Sequence, residues 1–207
     1  MEDVIARFAG RSEASLLSEV ARDWGRPVPS DYSTRMKSRV ASSYASDLEA
    51  LPGVTETLGS IQCAICVASS SDPDKLRLGL RSTGLLDVFG DNVLSASLVA
   101  KGKPAPDIFL YAAGWMRTPV ANCLVVEDSV PGVQAARSAG MRALGFVGGR
   151  HCDEDQATRL LSAGAECVIE HMSELGRIAP DAFRSGEEAS VQPVRATGTL
   201  QAGAATN

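Results

Sequence analysis

Two segments in the second half of the chain carry side chains suited to phosphate chemistry. Lys103 lies between Gly102 and Pro104 on a short loop before a predicted helix, where it can neutralise a phosphate as a point charge. Glu127 and Asp128 follow an apolar run, and two adjacent carboxylates there are costly unless a cation is present. Oxygen ligands of this kind suit Mg²⁺, which takes further ligands from water and substrate phosphate. The two segments together predict a site that handles a phosphate ester.

A run of hydroxyl groups adds a candidate anion site. Residues 67–71 (Val-Ala-Ser-Ser-Ser) end a predicted strand just before a helix. The hydroxyls of Ser69 and Ser70, together with backbone N–H groups at the helix N-terminus, can bind phosphate. The alternative is that Ser71 or Asp72 simply caps the helix.

Each segment alone also has a simpler interpretation. Lys103 would be a solvated surface residue, and the acid pair would be one helix cap and one solvated carboxylate. The conjunction favours a shared site, because hydroxyls, lysine and acids occur in that order and each group lies in a loop that follows a predicted strand.

The pattern of apolar residues divides the chain into three parts. Residues 2–50 are rich in helix formers, with one helix expected to begin near Ser12 and end at Gly25, and another over 31–48. Strands and helices then alternate. Strands are predicted over 61–68, 92–95, 123–126, 143–147 and 167–169, and helices over 72–83, 106–115, 130–139, 154–163 and 172–178.

Strands that alternate with helices and are almost continuously apolar predict an α/β fold, a doubly wound parallel sheet with helices on both faces. The loops after the strands then meet along one edge of the sheet, where ligands bind. We therefore expect three regions: a helical module, a partial cap, over 1–50, an α/β core over 51–179, and a disordered Ser-, Gly- and Ala-rich tail over 180–207.

Composition excludes several classes of protein. The net charge is −5 and the 20 basic residues are scattered, which argues against nucleic-acid binding. No apolar run approaches the roughly 20 residues that span a bilayer, and residues 1–5 lack the order of a signal peptide. We expect a soluble cytoplasmic protein with no membrane partner.

Two of the five cysteines have the spacing of a redox motif. Cys63 and Cys66 lie inside the predicted strand 61–68, where an offset of three directs their side chains to opposite faces. A redox motif instead opens a helix after a strand. The favoured interpretation is two small buried residues.

The sequences Gly-Lys-Pro-Ala-Pro-Asp-Ile-Phe at 102–109 and Val-Glu-Asp-Ser-Val-Pro-Gly at 126–132 resemble the haloacid dehalogenase (HAD) superfamily. The similarity is greatest to its helical-cap group, which contains β-phosphoglucomutase and small-metabolite sugar phosphatases, and it extends to about residue 178. The resemblance implies a Rossmann-like core with an N-terminal helical cap, Mg²⁺ as cofactor and a small phosphorylated metabolite as substrate.

The resemblance also implies roles for individual residues. Ser69 would hydrogen-bond the transferring phosphoryl group, with Ser70 beside it binding substrate. Lys103 would bridge the phosphate and the attacking nucleophile. Asp128 would ligate Mg²⁺ directly, with Glu127 next to the metal.

In the cap, residues 8–12 (Phe-Ala-Gly-Arg-Ser) are similar to the family's specificity loop. The resemblance therefore implies that Arg11 contacts the part of the substrate that does not react.

One family motif is missing from these residues. In the family, an apolar strand in the middle of the sheet ends in Asp-x-Asp-Gly and supplies the attacking aspartate. The two Asp-x-Asp triplets here, at 72–74 and 153–155, do not follow an apolar strand.

Two hypotheses remain open. One is an Mg²⁺-dependent phosphatase, or a β-phosphoglucomutase-like mutase, that is N-terminally truncated, inactive as given, and a monomer when complete. The other is a non-catalytic remnant that binds a phosphorylated metabolite.

Overall fold

The computed structural model describes residues 13–183, with side chains from residue 17 onward. Two helices come first, α1 (Glu13–Trp24) and α2 (Tyr32–Asp47). As predicted, α1 ends at Gly25, whose φ of 69° belongs to the left-handed region that glycine adopts without strain.

Helices and parallel strands alternate over the rest of the described chain. These elements are α3 (Val54–Ser60), β1 (Val67–Ser69), α4 (Pro73–Ser82), α5 (Leu86–Phe89), β2 (Val93–Ser95), α6 (Asp107–Trp115), β3 (Leu124–Glu127), α7 (Val130–Ser138), β4 (Arg142–Phe146), α8 (Gln156–Ser162), β5 (Val168–Ile169) and α9 (Leu175–Ile178). The short helices α3 and α5 are absent from the sequence prediction. The predicted final helix over 172–178 is split into a 3₁₀ turn, Met172–Glu174, and α9.

The strands form two separate parallel sheets. β1 pairs with β2, and β3, β4 and β5 pair in that order. The predicted α/β fold with parallel strands is confirmed, but the single sheet is divided, since no ladder joins β1 to β3 within residues 13–183.

The predicted strand over 61–68 is largely wrong. Only β1 is a strand, because a strand extends as far as a partner pairs with it and β2 offers three residues. Cys63, expected to be buried, is exposed, whereas Cys66 is half-buried. Both are free thiols, and burial raises the pKa of the half-buried Cys66.

Two apolar clusters pack on opposite faces of β4. Ala143 belongs to a cluster that includes Ile108 of α6 and Leu160 of α8. Leu144, the next residue, belongs to the cluster around Leu175 of α9. Because successive side chains of a strand point to opposite faces, helices cover both sides of the larger sheet, as a doubly wound fold requires.

The end of the described chain differs from the expected boundary. Residues Pro180–Phe183, assigned from sequence to the disordered tail, form a 3₁₀ turn. Ala182 accepts a backbone hydrogen bond from Gln62 (2.8 Å), and Phe183 packs on the cluster of Leu144. Residues 184–207 lie outside the described part. Within that part, no helix combines the length and apolarity needed to cross a bilayer.

Adjacent leucines of α8 offer a matched test of this core. Leu160 has 0% exposure and Leu161 has 48%. We expect Leu160→Ala to lower the free energy of unfolding by about 2–5 kcal/mol, because it leaves a cavity. Leu161→Ala should change it by less than about 0.5 kcal/mol. Urea denaturation of both variants checks this, and equal losses would contradict the described packing.

Candidate active site

Lys103 is buried between the two sheets. It lies in the loop between β2 and α6, and its side chain is only 6% exposed. The Nζ donates to the backbone carbonyl of Ala68 in β1 (3.2 Å) and to the carboxylate of Glu127 in β3. It also lies 5.0 Å from the centre of the Phe109 ring. The interpretation of Lys103 as a solvated surface residue is therefore wrong.

Both carboxylate oxygens of Glu127 are engaged. One accepts from Lys103, and the other accepts from the Ser129 hydroxyl (2.9 Å). Ser129 Oγ in turn caps α7 by accepting from the backbone N–H of Gly132 (3.1 Å). A Cβ at residue 132 would overlap the Glu127 carboxylate. Glycine at this position therefore allows the start of α7 to lie close to the Glu127 carboxylate. Glu127 holds Lys103 in place, and each of its two oxygens already accepts one hydrogen bond.

Asp128 points a different way from its neighbour. Its side chain is 47% exposed, and its Oδ2 lies 3.3 Å from Nε2 of His151, in the loop after β4. Its backbone carbonyl accepts from the Gln156 side chain. Burial, and next the Asp128 carboxylate, raise the pKa of the adjacent Cys152 thiol. His151 was not among the site residues predicted from sequence, although its position after a strand was a usable signal.

The serines after β1 are not equivalent. Ser69 Oγ accepts the backbone N–H of Ser71 (3.1 Å), whereas Ser70 Oγ is buried with no protein partner. Asp72 caps α4 by accepting from the N–H groups of Asp74 and Lys75. Of the two capping residues proposed from sequence, Asp72 is right and Ser71 is wrong. A buried hydroxyl without a partner is costly, which keeps Ser70 a candidate for binding a ligand.

Neither Asp-x-Asp triplet supplies a free first carboxylate. Asp72 is committed to its helix cap. Asp153 forms an ion pair with Arg159 (2.6 Å) and accepts from the N–H of Asp155. The hydrogen bond from Arg159 is the main reason that the pKa of Asp153 is lowered.

The residues fit Mg²⁺ in part. No cluster of three or more His, Cys, Asp or Glu side chains in the described residues is arranged to hold a metal ion. Asp128 nevertheless offers a solvent-facing carboxylate, and Mg²⁺ is usually bound by one or two carboxylates, with waters and substrate phosphate completing its shell. Asp128 could therefore hold Mg²⁺ once a phosphorylated substrate is present. Arg11 lies outside the described residues.

Comparison with known proteins gives the family. The family profile of haloacid dehalogenase-like hydrolases matches residues 8–140, which is more than half of the chain. The chain belongs to the haloacid dehalogenase-like hydrolases. A solved structure from Agrobacterium tumefaciens str. C58, a conserved haloacid dehalogenase-like protein of unknown function, is 33% identical with a TM-score of 0.73, over 87% of this chain and 82% of that one.

Two curated relatives show where this HAD-like hydrolase lies within the family. The 6-phosphogluconate phosphatase of Escherichia coli (strain K12) is 29% identical over 72% of this chain and 68% of its own length. The β-phosphoglucomutase of Bacillus subtilis (strain 168) is 34% identical over 60% of this chain and 51% of its own length. The resemblance to the sugar-phosphatase-like group of HAD proteins is confirmed.

The buried ion pair of this hydrolase gives a second test. Glu127→Gln should lower the free energy of unfolding by about 3–5 kcal/mol, because it leaves the Lys103 charge buried without its counterion. Adding Lys103→Met to that variant removes the unpaired charge and should recover most of the loss. Urea denaturation of the two variants measures this. A double variant less stable than the single one would show that the pair is not coupled.

Proposed function

We propose that this chain carries the phosphate- and metal-binding part of an Mg²⁺-dependent phosphatase for small phosphorylated metabolites such as sugar phosphates. The observation that carries the proposal is the buried amine of Lys103, held by Glu127 at the strand ends, where Ser70 and Asp128 also lie. The 6-phosphogluconate phosphatase and β-phosphoglucomutase activities of two relatives support the substrate class.

The proposed roles follow from charge. Phosphoryl transfer spreads negative charge over the phosphate oxygens, so that catalysis is mainly positioning and charge stabilisation. Lys103 places a positive charge that the protein has already desolvated. Ser69 and Ser70 orient the phosphate through their hydroxyls. Mg²⁺, bound through Asp128, would add positive charge at the transferring group.

Hydrolysis through an aspartyl-phosphate also needs an attacking carboxylate. The Glu127 carboxylate accepts hydrogen bonds from Lys103 and Ser129. Asp72 caps α4 and Asp153 forms an ion pair with Arg159. We therefore propose that the nucleophile comes from a segment outside these 207 residues. The competing hypothesis, a remnant that binds a phosphorylated metabolite without turnover, is favoured by the same occupied carboxylates.

Activity assays separate the two hypotheses. The 207 residues alone should not hydrolyse p-nitrophenyl phosphate above background, because we find no positioned nucleophile within residues 13–183. Metal-dependent hydrolysis by this chain, abolished by Asp128→Ala, would contradict that expectation. A chain extended upstream by an apolar strand ending in Asp-x-Asp-Gly should hydrolyse sugar phosphates only with Mg²⁺. A folded extended chain that binds but never turns over would favour the remnant.

Variants of the extended chain test the assignment of roles. Lys103→Ala and Asp128→Ala should each lower kcat by about two orders of magnitude or more, as expected when a group that stabilises transition-state charge is lost. Lys101→Ala is the matched control, because Lys101 is exposed in the same loop and should leave kcat unchanged.

Arg11→Ala should act mainly on KM, since a cap residue would contact the part of the substrate that does not react. Steady-state kinetics on one sugar phosphate measure both parameters. Near-normal kcat for the Lys103 variant, or the lowest kcat for the Arg11 variant, would contradict the assignment.

A further inference from the structure

The loop between β4 and α8 brings a second metal-binding side chain to the place where Asp128 lies. Oδ2 of Asp128 and Nε2 of His151 are 3.3 Å apart. Both side chains are partly exposed, so an ion that carries water molecules can reach them. A carboxylate oxygen and an imidazole nitrogen are among the usual ligands of zinc in proteins.

The separation of the two atoms fits a shared metal ion better than a hydrogen bond. N–H···O bonds in proteins measure about 2.7–3.2 Å, which is shorter than this contact. Zinc lies about 2.0–2.1 Å from a histidine nitrogen and about 2.0–2.2 Å from a carboxylate oxygen. With a tetrahedral angle of about 109°, these bonds place the two ligand atoms about 3.3–3.5 Å apart. The observed distance of 3.3 Å lies within that range.

Two glycines allow the loop to place the imidazole there. A Cβ at Gly148 would overlap the backbone carbonyl oxygen of Glu170, and a Cβ at Gly149 would overlap the ring of His151. The loop therefore passes close to the main chain after β5, and the imidazole folds against residue 149. Because the Nδ1 and Cε1 side of the ring faces Gly149, the position of the ring is set by packing.

Asp128 is fixed from the other end of the same loop. Gln156, the first residue of α8, donates from its side-chain amide to the backbone carbonyl of Asp128 (2.5 Å). Arg159 donates to the side-chain oxygen of Gln156 (3.0 Å) and forms an ion pair with Asp153. Both candidate ligands are thus held in place before any metal binds, which lowers the entropy lost on binding.

We propose that Asp128 and His151 form a binding site for Zn²⁺, with water or the oxygens of a bound anion in the remaining positions. Within residues 13–183, no set of three His, Cys, Asp or Glu side chains is arranged to hold a metal. The protein therefore supplies two ligands, and the neighbouring Cys152 thiol is not a third. The imidazole selects zinc over Mg²⁺, because imidazole suits zinc whereas Mg²⁺ takes oxygen ligands.

A zinc ion at this site would occupy the carboxylate that the proposed function assigns to Mg²⁺. Zinc would then compete with Mg²⁺ for Asp128 in a complete enzyme, a consequence that rests on the proposed function. The zinc site itself rests on the two side chains and their supports, and it holds whether or not the completed chain hydrolyses phosphate.

The two histidines of the chain provide a site-specific assay. The sample is the 207-residue chain with isotope-labelled histidine and backbone amides, and the probe is Zn²⁺ alone in a buffer that does not bind metals. Zn²⁺ should shift the imidazole nitrogen signals of His151. It should leave those of His171 unchanged, because that ring lies against Gly53 and bonds with Ser173. Zinc held by cysteines elsewhere would not move the His151 signals.

The backbone amide signals of residues 127–129 and 149–152 give the Kd, as the concentration of free Zn²⁺ at half-maximal shift. Asp128→Asn and His151→Asn should each raise this Kd about tenfold or more, since even the hydrogen-bond partner of a metal ligand is worth about 10–100-fold in affinity. Unchanged amide signals in β5 and α9 verify that each variant is folded.

Two further variants are matched controls. His171→Asn makes the same substitution at the other histidine and keeps a side chain able to cap the 3₁₀ turn. Cys152→Ser removes the neighbouring thiol. Both should leave the Kd for Zn²⁺ unchanged. Mg²⁺ at the concentration that half-saturates the site with Zn²⁺ should leave the His151 imidazole signals in place.

Four results would overturn the zinc site. They are an unshifted His151 imidazole at high Zn²⁺, an unchanged Kd in Asp128→Asn, a loss in either control variant as large as that in His151→Asn, and an equal shift with Mg²⁺. None of these measurements involves turnover. An extended chain that hydrolyses no phosphate would therefore contradict the proposed function and leave the zinc site standing.

Discussion

The ion pair between Lys103 and Glu127 connects two sheets that no backbone ladder joins within residues 13–183. Burying two charges is costly, and the cost is offset only when the charges are paired and their remaining atoms are hydrogen-bonded. Here the Ser129 hydroxyl donates to the second carboxylate oxygen of Glu127, and the Lys103 amine also donates to the Ala68 carbonyl. The pair is therefore well satisfied, and it fixes the carboxyl end of β1 relative to that of β3.

Other features at this edge depend on the same pair. Gly132 must be glycine because the Glu127 carboxylate lies against it, so the start of α7 is placed by the acid. Asp128 is turned away from the interior because Glu127, the residue before it, points inward. At this edge of the sheet, the Glu127 carboxylate positions the Lys103 amine, whereas the Asp128 carboxylate remains exposed to solvent.

Much of this arrangement could be predicted from sequence. The periodicity placed β2, β3, β4 and the longer helices within a few residues, since their apolar patterns are strong and their ends are marked by Gly25 or by caps such as Asp72. The sequence could not show that Glu127 is buried and Asp128 is exposed, because the burial of Glu127 depends on a lysine 24 residues away along the chain. It also could not show the short β1 or the partnerless Ser70 hydroxyl, which depend on neighbours in space. Apolarity alone made residues 61–66 look like a strand, but strand formation also needs a pairing edge.

The order of contacts along the chain has a consequence for folding kinetics. β3, α7, β4, α8 and β5 are consecutive, and each strand pairs with the next one in sequence. Such short loops close quickly, because the entropy lost on closure grows with loop length. We therefore expect residues 124–169 to form early in folding, around the fully buried Ala143 and Leu144. β1 and β2 are also consecutive and pair with each other, so this unit can form separately. The Lys103–Glu127 bond would form only when both units meet, so it should affect the unfolding rate more than the folding rate.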